Sequence, residues 1–100
     1  MKVKILILLF IISNTLFANN IFGHWNLSDG YALSLYEDET YVVSSRKSGF
    51  ILSNGLFSFY NNIISFSNGI FFKVEWIDNN HILLNDLDNG EILEMDRQKG

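Results

Sequence analysis

The sequence predicts an all-β fold, an antiparallel up-and-down meander of about eight strands closed into a small barrel and preceded by a signal-peptide helix. Three observations carry this reading. Corners of Asn-Gly, Asp-Gly or Asn-Asn type recur at Asp29-Gly30, Asn54-Gly55, Asn61-Asn62, Asn68-Gly69, Asn79-Asn80 and Asn89-Gly90. Such pairs tolerate the positive φ that tight hairpin turns demand. Between them lie short stretches rich in Phe, Ile, Leu, Val and Tyr, of strand length. No sustained helical period follows the first segment, and the chain has no proline.

The N-terminal segment MKVKILILLFIISNTLFA places Lys2 and Lys4 before an unbroken apolar run, Ile5 to Ile12, and a polar stretch that ends at Ala18. That order of charged, apolar and cleavage regions is the pattern of a secretory signal peptide. The apolar run falls short of the roughly 20 residues that span a bilayer. Residues 1–18 are therefore read as a leader and residues 19–100 as one domain, periplasmic or secreted. Five bases (Arg46, Lys47, Lys73, Arg97, Lys99) face eleven acids in that domain, a net charge of −6. Such a surface repels phosphate backbones and anionic lipid, which argues against nucleic acid and against any membrane role beyond the leader. Small exported domains commonly rely on disulfides. This one has no cysteine, so its stability must come from apolar packing.

Pairing parity then orders the elements, because directly opposed residues of a hairpin share a face. A three-residue loop Ser28-Asp29-Gly30 opposes Trp25 to Leu33. A two-residue turn at Asn54-Gly55 would oppose Leu52 to Phe57 and Phe50 to Phe59, with Phe50–Ser53 either a ninth strand or an extension of the third. At Asn61-Asn62 a two-residue turn opposes Phe59 to Ile64 and Phe57 to Phe66. Three-residue loops at Ser67-Asn68-Gly69 and Asp78-Asn79-Asn80 oppose Ile64 to Phe72, Val74 to Leu84 and Trp76 to Ile82. Two residues at Asn89-Gly90 would oppose Leu84 to Met95. These choices gather Trp25, Leu27, Leu33, Leu35, Tyr41, Val43, Phe50, Leu52, Phe57, Phe59, Ile64, Phe66, Phe72, Val74, Trp76, Ile82, Leu84, Leu93 and Met95 on one face. With no helix to cover that face, the sheet must roll up or form a sandwich. Sequential strand order favours an even-numbered barrel, which also removes exposed edges.

The stretch FGHWNL gives Gly23-x-Trp25 on the first strand, followed by the step GLFSFYNNIISF and a last strand ending near Arg97. In this the chain resembles the small bacterial lipocalin-like (calycin) domains. The resemblance implies a barrel whose closed end holds Trp25, with Arg97 stacked over it as a cation–π pair, and it makes Gly23, Trp25 and Arg97 structural residues. The chain is about half the usual lipocalin size and lacks the helix that follows the barrel there. Strands this short reach about 17 Å, which favours an interior filled by its own side chains over a roomy cup. Any interior ligand would be apolar and would meet Trp25, Tyr41, Phe57, Phe59, Phe66, Phe72 and Trp76. Tyr41 offers the single inward hydroxyl.

Other features read plainly. His24 and His81 fall on the outward parity with no acid at tight ligand spacing, so no metal is implied, and no cofactor either. NDLDNGEILEMD superficially resembles a calcium loop, but placing its glycine at Gly90 puts Leu87 where a ligand belongs. Glu37, Asp38 and Glu39 form a solvated acidic turn. No serine has a nucleophile-elbow context or a base placed to activate it, so an enzyme is not expected. Tyr60, Ile63, Phe71, Ile77 and Leu83 face outward, and joined into a stripe they would mark a partner surface. The function expected is an exported lipocalin-like binding module for a small apolar ligand. The alternative is a protein–protein interaction module, for instance an inhibitor of a secreted enzyme, acting through its outer face and acidic loops.

Overall fold

A computed structural model describes residues 20–99; the leader expected over residues 1–18 lies outside them. The chain forms β1 (Gly23–Leu27), β2 (Tyr31–Leu35), β3 (Thr40–Ser45), β4 (Ile51–Tyr60), β5 (Ile63–Phe66), β6 (Phe71–Asp78), β7 (His81–Asp86) and β8 (Ile92–Arg97). All neighbours are antiparallel, and β8 returns to pair with β1, so the eight strands close into a barrel in sequential order. At the seam Trp25 lies opposite Arg97, Asn26 opposite Asp96 and Leu27 opposite Met95.

Turn chemistry sets most of this geometry. Asn61 and Asn62 both adopt left-handed φ, 57° and 61°, the two-residue turn whose twist matches flanking strands. Phe59 consequently opposes Ile64, and Phe57 opposes Phe66. Gly30 and Gly69, at φ 93° and 91°, each close a three-residue loop by donating an N–H hydrogen bond to the carbonyls of Leu27 and Phe66. The pairs Trp25–Leu33, Ile64–Phe72, Val74–Leu84 and Trp76–Ile82 all form as the spacing predicts.

Three expectations need correction. Asn54-Gly55 is not a turn: both residues lie inside β4, with Asn54 opposite Val42 and Gly55 opposite Tyr41. Without that turn, Leu52 and Phe57 fall on opposite faces of one strand, because side chains alternate. Leu52, unpaired at a register shift in the β3–β4 ladder, and Phe50, in the loop before β4, leave the core and are 56% and 77% exposed. Phe50 sits in the β3–β4 loop, and Ile51–Ser53 open β4 rather than forming a ninth strand or extending β3. Glycine is required at position 55 for space, since a Cβ there would strike Ser67 Oγ and come within 3.2 Å of the Tyr41 ring. The second correction is at the β6–β7 turn, which holds Asn79-Asn80 alone. Its extra residue is a bulge at Ile77, as the register shift between Trp76 and Asp78 shows. In the third, Leu84 pairs with Leu93 and Met95 with Ile82. The β7–β8 loop is longer than two residues, closed by the Asp86 amide on the Glu91 carbonyl at 2.8 Å. A slip of two preserves faces, so Leu84 and Met95 stay inside.

The interior is apolar. Trp25, Ile64, Ile82, Leu84 and Met95 are at most 1% exposed, and no buried side-chain nitrogen or oxygen among the described residues lacks a hydrogen-bond partner. Ile21, from the segment before β1, joins this core. Truncating Ile64 to Ala should cost about 2–5 kcal/mol of unfolding free energy. Urea denaturation checks this, and a loss below 1 kcal/mol would mean the barrel centre is loosely packed.

Candidate functional site

The barrel has two unlike ends. Strands β1, β3, β5 and β7 run from the end holding Gly23, Thr40, Ile63 and His81 toward the end bearing the loops at 28–30, 46–50, 67–70 and 87–91. The first end is sealed. The Arg97 guanidinium carbon lies 4.1 Å from the Trp25 ring centroid. Its nitrogens donate to the carbonyls of Phe22 (3.0 Å), Asn20 (2.7 Å) and Asn79 (3.0 and 3.2 Å). Trp25 Nε1 donates to the Ile21 carbonyl at 2.9 Å, and Trp76 packs edge-on at 6.2 Å. Gly23 permits the approach: its φ is 132°, and a Cβ would sit 3.0 Å from an Arg97 nitrogen. One planar cation thus joins β8, the segment before β1 and the β6–β7 turn. Arg is suited to this because its fork presents several donors at once.

The other end is open. Leu27, Leu33, Tyr41, Val43, Phe66, Phe72, Leu84 and Leu93 line a cavity of about 200 Å³, with Asp29, Tyr31, Asn68 and Ile70 at its rim. Of the interior residues picked from the sequence, Tyr41, Phe66 and Phe72 meet here, with Tyr41 and Phe66 edge to face at 4.7 Å. Trp25 and Trp76 belong to the sealed end. Phe57 and Phe59 border a separate depression with Phe22 and Glu39. The seven therefore do not form one site. The Tyr41 hydroxyl is paired with Ser53 Oγ at 2.9 Å, a partner that could not be read while Asn54-Gly55 was taken as a turn.

Polar groups at the rim are turned to the backbone. Asp29 Oδ1 accepts from the Tyr31 amide at 3.3 Å, and Asn68 Oδ1 accepts from the Ile70 amide at 3.1 Å. The cavity consequently offers contact area and little directed polarity, which favours an uncharged apolar guest. A larger depression of about 730 Å³ lies beside His81 and Asp96, but Asn26, Asn80, Arg97, Gln98 and Lys99 give it polar walls.

The histidines lie on the outer wall. His81 Nδ1 meets the Asp78 carboxylate at 2.7 Å, and Nε2 stands 3.7 Å from Asp96. His24 Nδ1 lies 2.8 Å from Ser34 Oγ, so the structure corrects the expectation that no base approaches a serine. The pair is a cross-strand neighbour, since His24 opposes Ser34 in the β1–β2 register. Its imidazole packs on the Tyr36 ring rather than on an orienting carboxylate. No group of three metal-ligating side chains occurs among the described residues.

No protein-family model matches the sequence, and comparison with curated proteins finds no match.

Two predictions follow from these contacts. Arg97→Ala removes the stacked cation and its carbonyl bonds, and should lower stability by about 1–3 kcal/mol; Arg97→Lys should recover only part of it. Thermal unfolding followed by tryptophan fluorescence reads both variants, and equal stability of Ala and Lys would show that the planar fork is idle. The second concerns acid. The Thr40 hydroxyl and amide, at 2.6 and 3.1 Å, hold the Asp38 carboxyl below its ordinary value of 3.8. The Asn80 amide and then His81 do the same for Asp78. Folding lowers both pKa values, so each contribution is present above the unfolded value and is lost as pH falls through the folded one. The NMR shift of the Thr40 amide should stay flat from pH 7 to about 5 and move only at more acidic pH.

Proposed function

We propose that this chain is an exported, lipocalin-like binding module whose open end takes a small, uncharged, apolar molecule. The observation that carries the reading is the apolar cavity of about 200 Å³ between Tyr41, Phe66, Phe72, Leu84 and Leu93. Its size bounds the guest: a cavity of about 150 Å³ lined by aliphatic and aromatic groups accommodates benzene. One or two fused rings, or a short acyl chain, fit this space. The stacking of Arg97 on Trp25 beside Gly23 supports the lipocalin-like assignment, since that is the arrangement the resemblance implies. The leader expected at residues 1–18 supports export. A sealed base and an open mouth give such a module one entrance, so binding needs no rearrangement of the barrel wall.

Leu93 is half-buried on the cavity wall, and Leu93→Trp fills the space without touching the sealed end. Naphthalene titrated against the native protein should bind with one-to-one stoichiometry by calorimetry. The variant should bind at least about tenfold more weakly, a difference of about 1.4 kcal/mol. Absence of naphthalene binding to the native protein, together with no copurified small molecule in native mass spectrometry, would defeat the reading.

A further inference from the structure

From Ser48 to Phe72 the chain runs 25 residues without a charge, bounded by Lys47 and Lys73. All eleven acids lie elsewhere. This segment supplies β4, β5 and the start of β6, so one whole side of an otherwise acidic barrel is neutral. Its outer face is uncharged, with Asn54, Ser58 and Ser65 between apolar side chains. Leu56 and Phe71 are exposed, Tyr60 is 81% exposed, and Ile63 lies directly opposite Tyr60. The stripe expected to continue through Leu83 is broken, because Lys73 and Glu75 stand between Ile63 and Leu83. The apolar surface instead extends up β4 to Leu52, Ile51 and Phe50, all more than half exposed.

The same strand carries an open hydrogen-bonding edge. Ile51 and Ser53–Leu56 pair with β3, with Leu52 left out at a register shift, while β5 pairs only with Phe57–Tyr60. Leu56 is capped from the far side by Ser67, whose amide and hydroxyl meet its carbonyl and amide at 2.8 and 3.1 Å. Among the described residues no strand covers Ile51–Gly55 on that side. The Phe57 amide bonds Glu39 on β3, and ladder alternation therefore turns the Asn54 N–H and C=O outward. Lower β6 has a comparable free edge, but Glu75 and Asp78 sit on it. Charges of that kind are the usual protection of a sheet edge, and upper β4 lacks them.

We propose that upper β4 is a homodimer interface, where a second copy of this chain adds its own Ile51–Gly55 antiparallel to the first. The pairing is self-complementary, as a two-fold interface requires: each copy contributes the same outward Asn54 N–H and C=O and the same apolar residues beside it. Charge selects the occupant. Two copies carrying net negative charge repel wherever acids meet, and this is the side on which they can meet without opposing a carboxylate. The exposed parts of Phe50, Ile51, Leu52, Leu56 and Tyr60 amount to several hundred square ångströms per copy, approaching the roughly 800 Å² per partner of a stable interface.

Light scattering on the purified protein at about 100 μM should give twice the mass of one chain, falling toward one chain on dilution. Leu52→Lys and Leu56→Lys place charges on exposed positions and should each raise the dimer dissociation constant at least tenfold while leaving the circular dichroism spectrum unchanged. Ile92→Lys, exposed on β8, should leave it unaltered. Hydrogen exchange at the Asn54 amide should slow as the dimer forms. A native monomer at that concentration overturns the proposal. So does a dimer that survives both lysine variants, or one that leaves the Asn54 amide unprotected, since either puts the interface elsewhere.

Discussion

A sheet with one oily face and, among the described residues, no helix to lay on it must cover that face with itself, and here it does so by closing. Here closure depends on β8 reaching β1, and the seam is held at its lower end by Arg97. Every other strand pair is a hairpin whose members are neighbours in sequence. The β1–β8 pairing alone is long-range, and the guanidinium over Trp25 reinforces it with bonds to the carbonyls of Asn20, Phe22 and Asn79. The buried Trp25 at the base depends on that clamp.

The inside–outside pattern of the strands was largely legible because turn chemistry is local. Asn61-Asn62 announces a left-handed pair, and its length alone sets the faces of Phe57, Phe59, Ile64 and Phe66. Asn54-Gly55 carries the same signature and means something different. There the glycine is required by the Tyr41 ring and Ser67 rather than by a change of direction. Those neighbours belong to β3 and the β5–β6 loop, so no local rule distinguishes the two cases. The Leu84–Met95 expectation failed differently. A loop longer than its Asn-Gly pair moved the register by two, which parity cannot detect, and the seam with β1 fixed the result.

The site was less legible than the fold. Periodicity identifies which aromatics point inward, but not the height at which each one sits. Trp25 and Trp76 fill the base, while Tyr41, Phe66 and Phe72 surround the space above it. That division follows from strand stagger: β4 leans past β5 by several residues, leaving its upper half paired on one side only. Stagger is a property of the closed cylinder as a whole. That stagger leaves the upper edge of β4 bare.

The position of the Trp25–Arg97 contact in the chain has a consequence for how the molecule is made. Its partners stand about 72 residues apart, and bringing such distant points together costs about 4 kcal/mol of chain entropy. Hairpins can form and dissolve as the polypeptide emerges, but no shorter nascent length contains both halves of the latch. Maturation is therefore an all-at-the-end event, and until the final strand arrives the uncharged middle of the polypeptide has no shelter except its own hairpins.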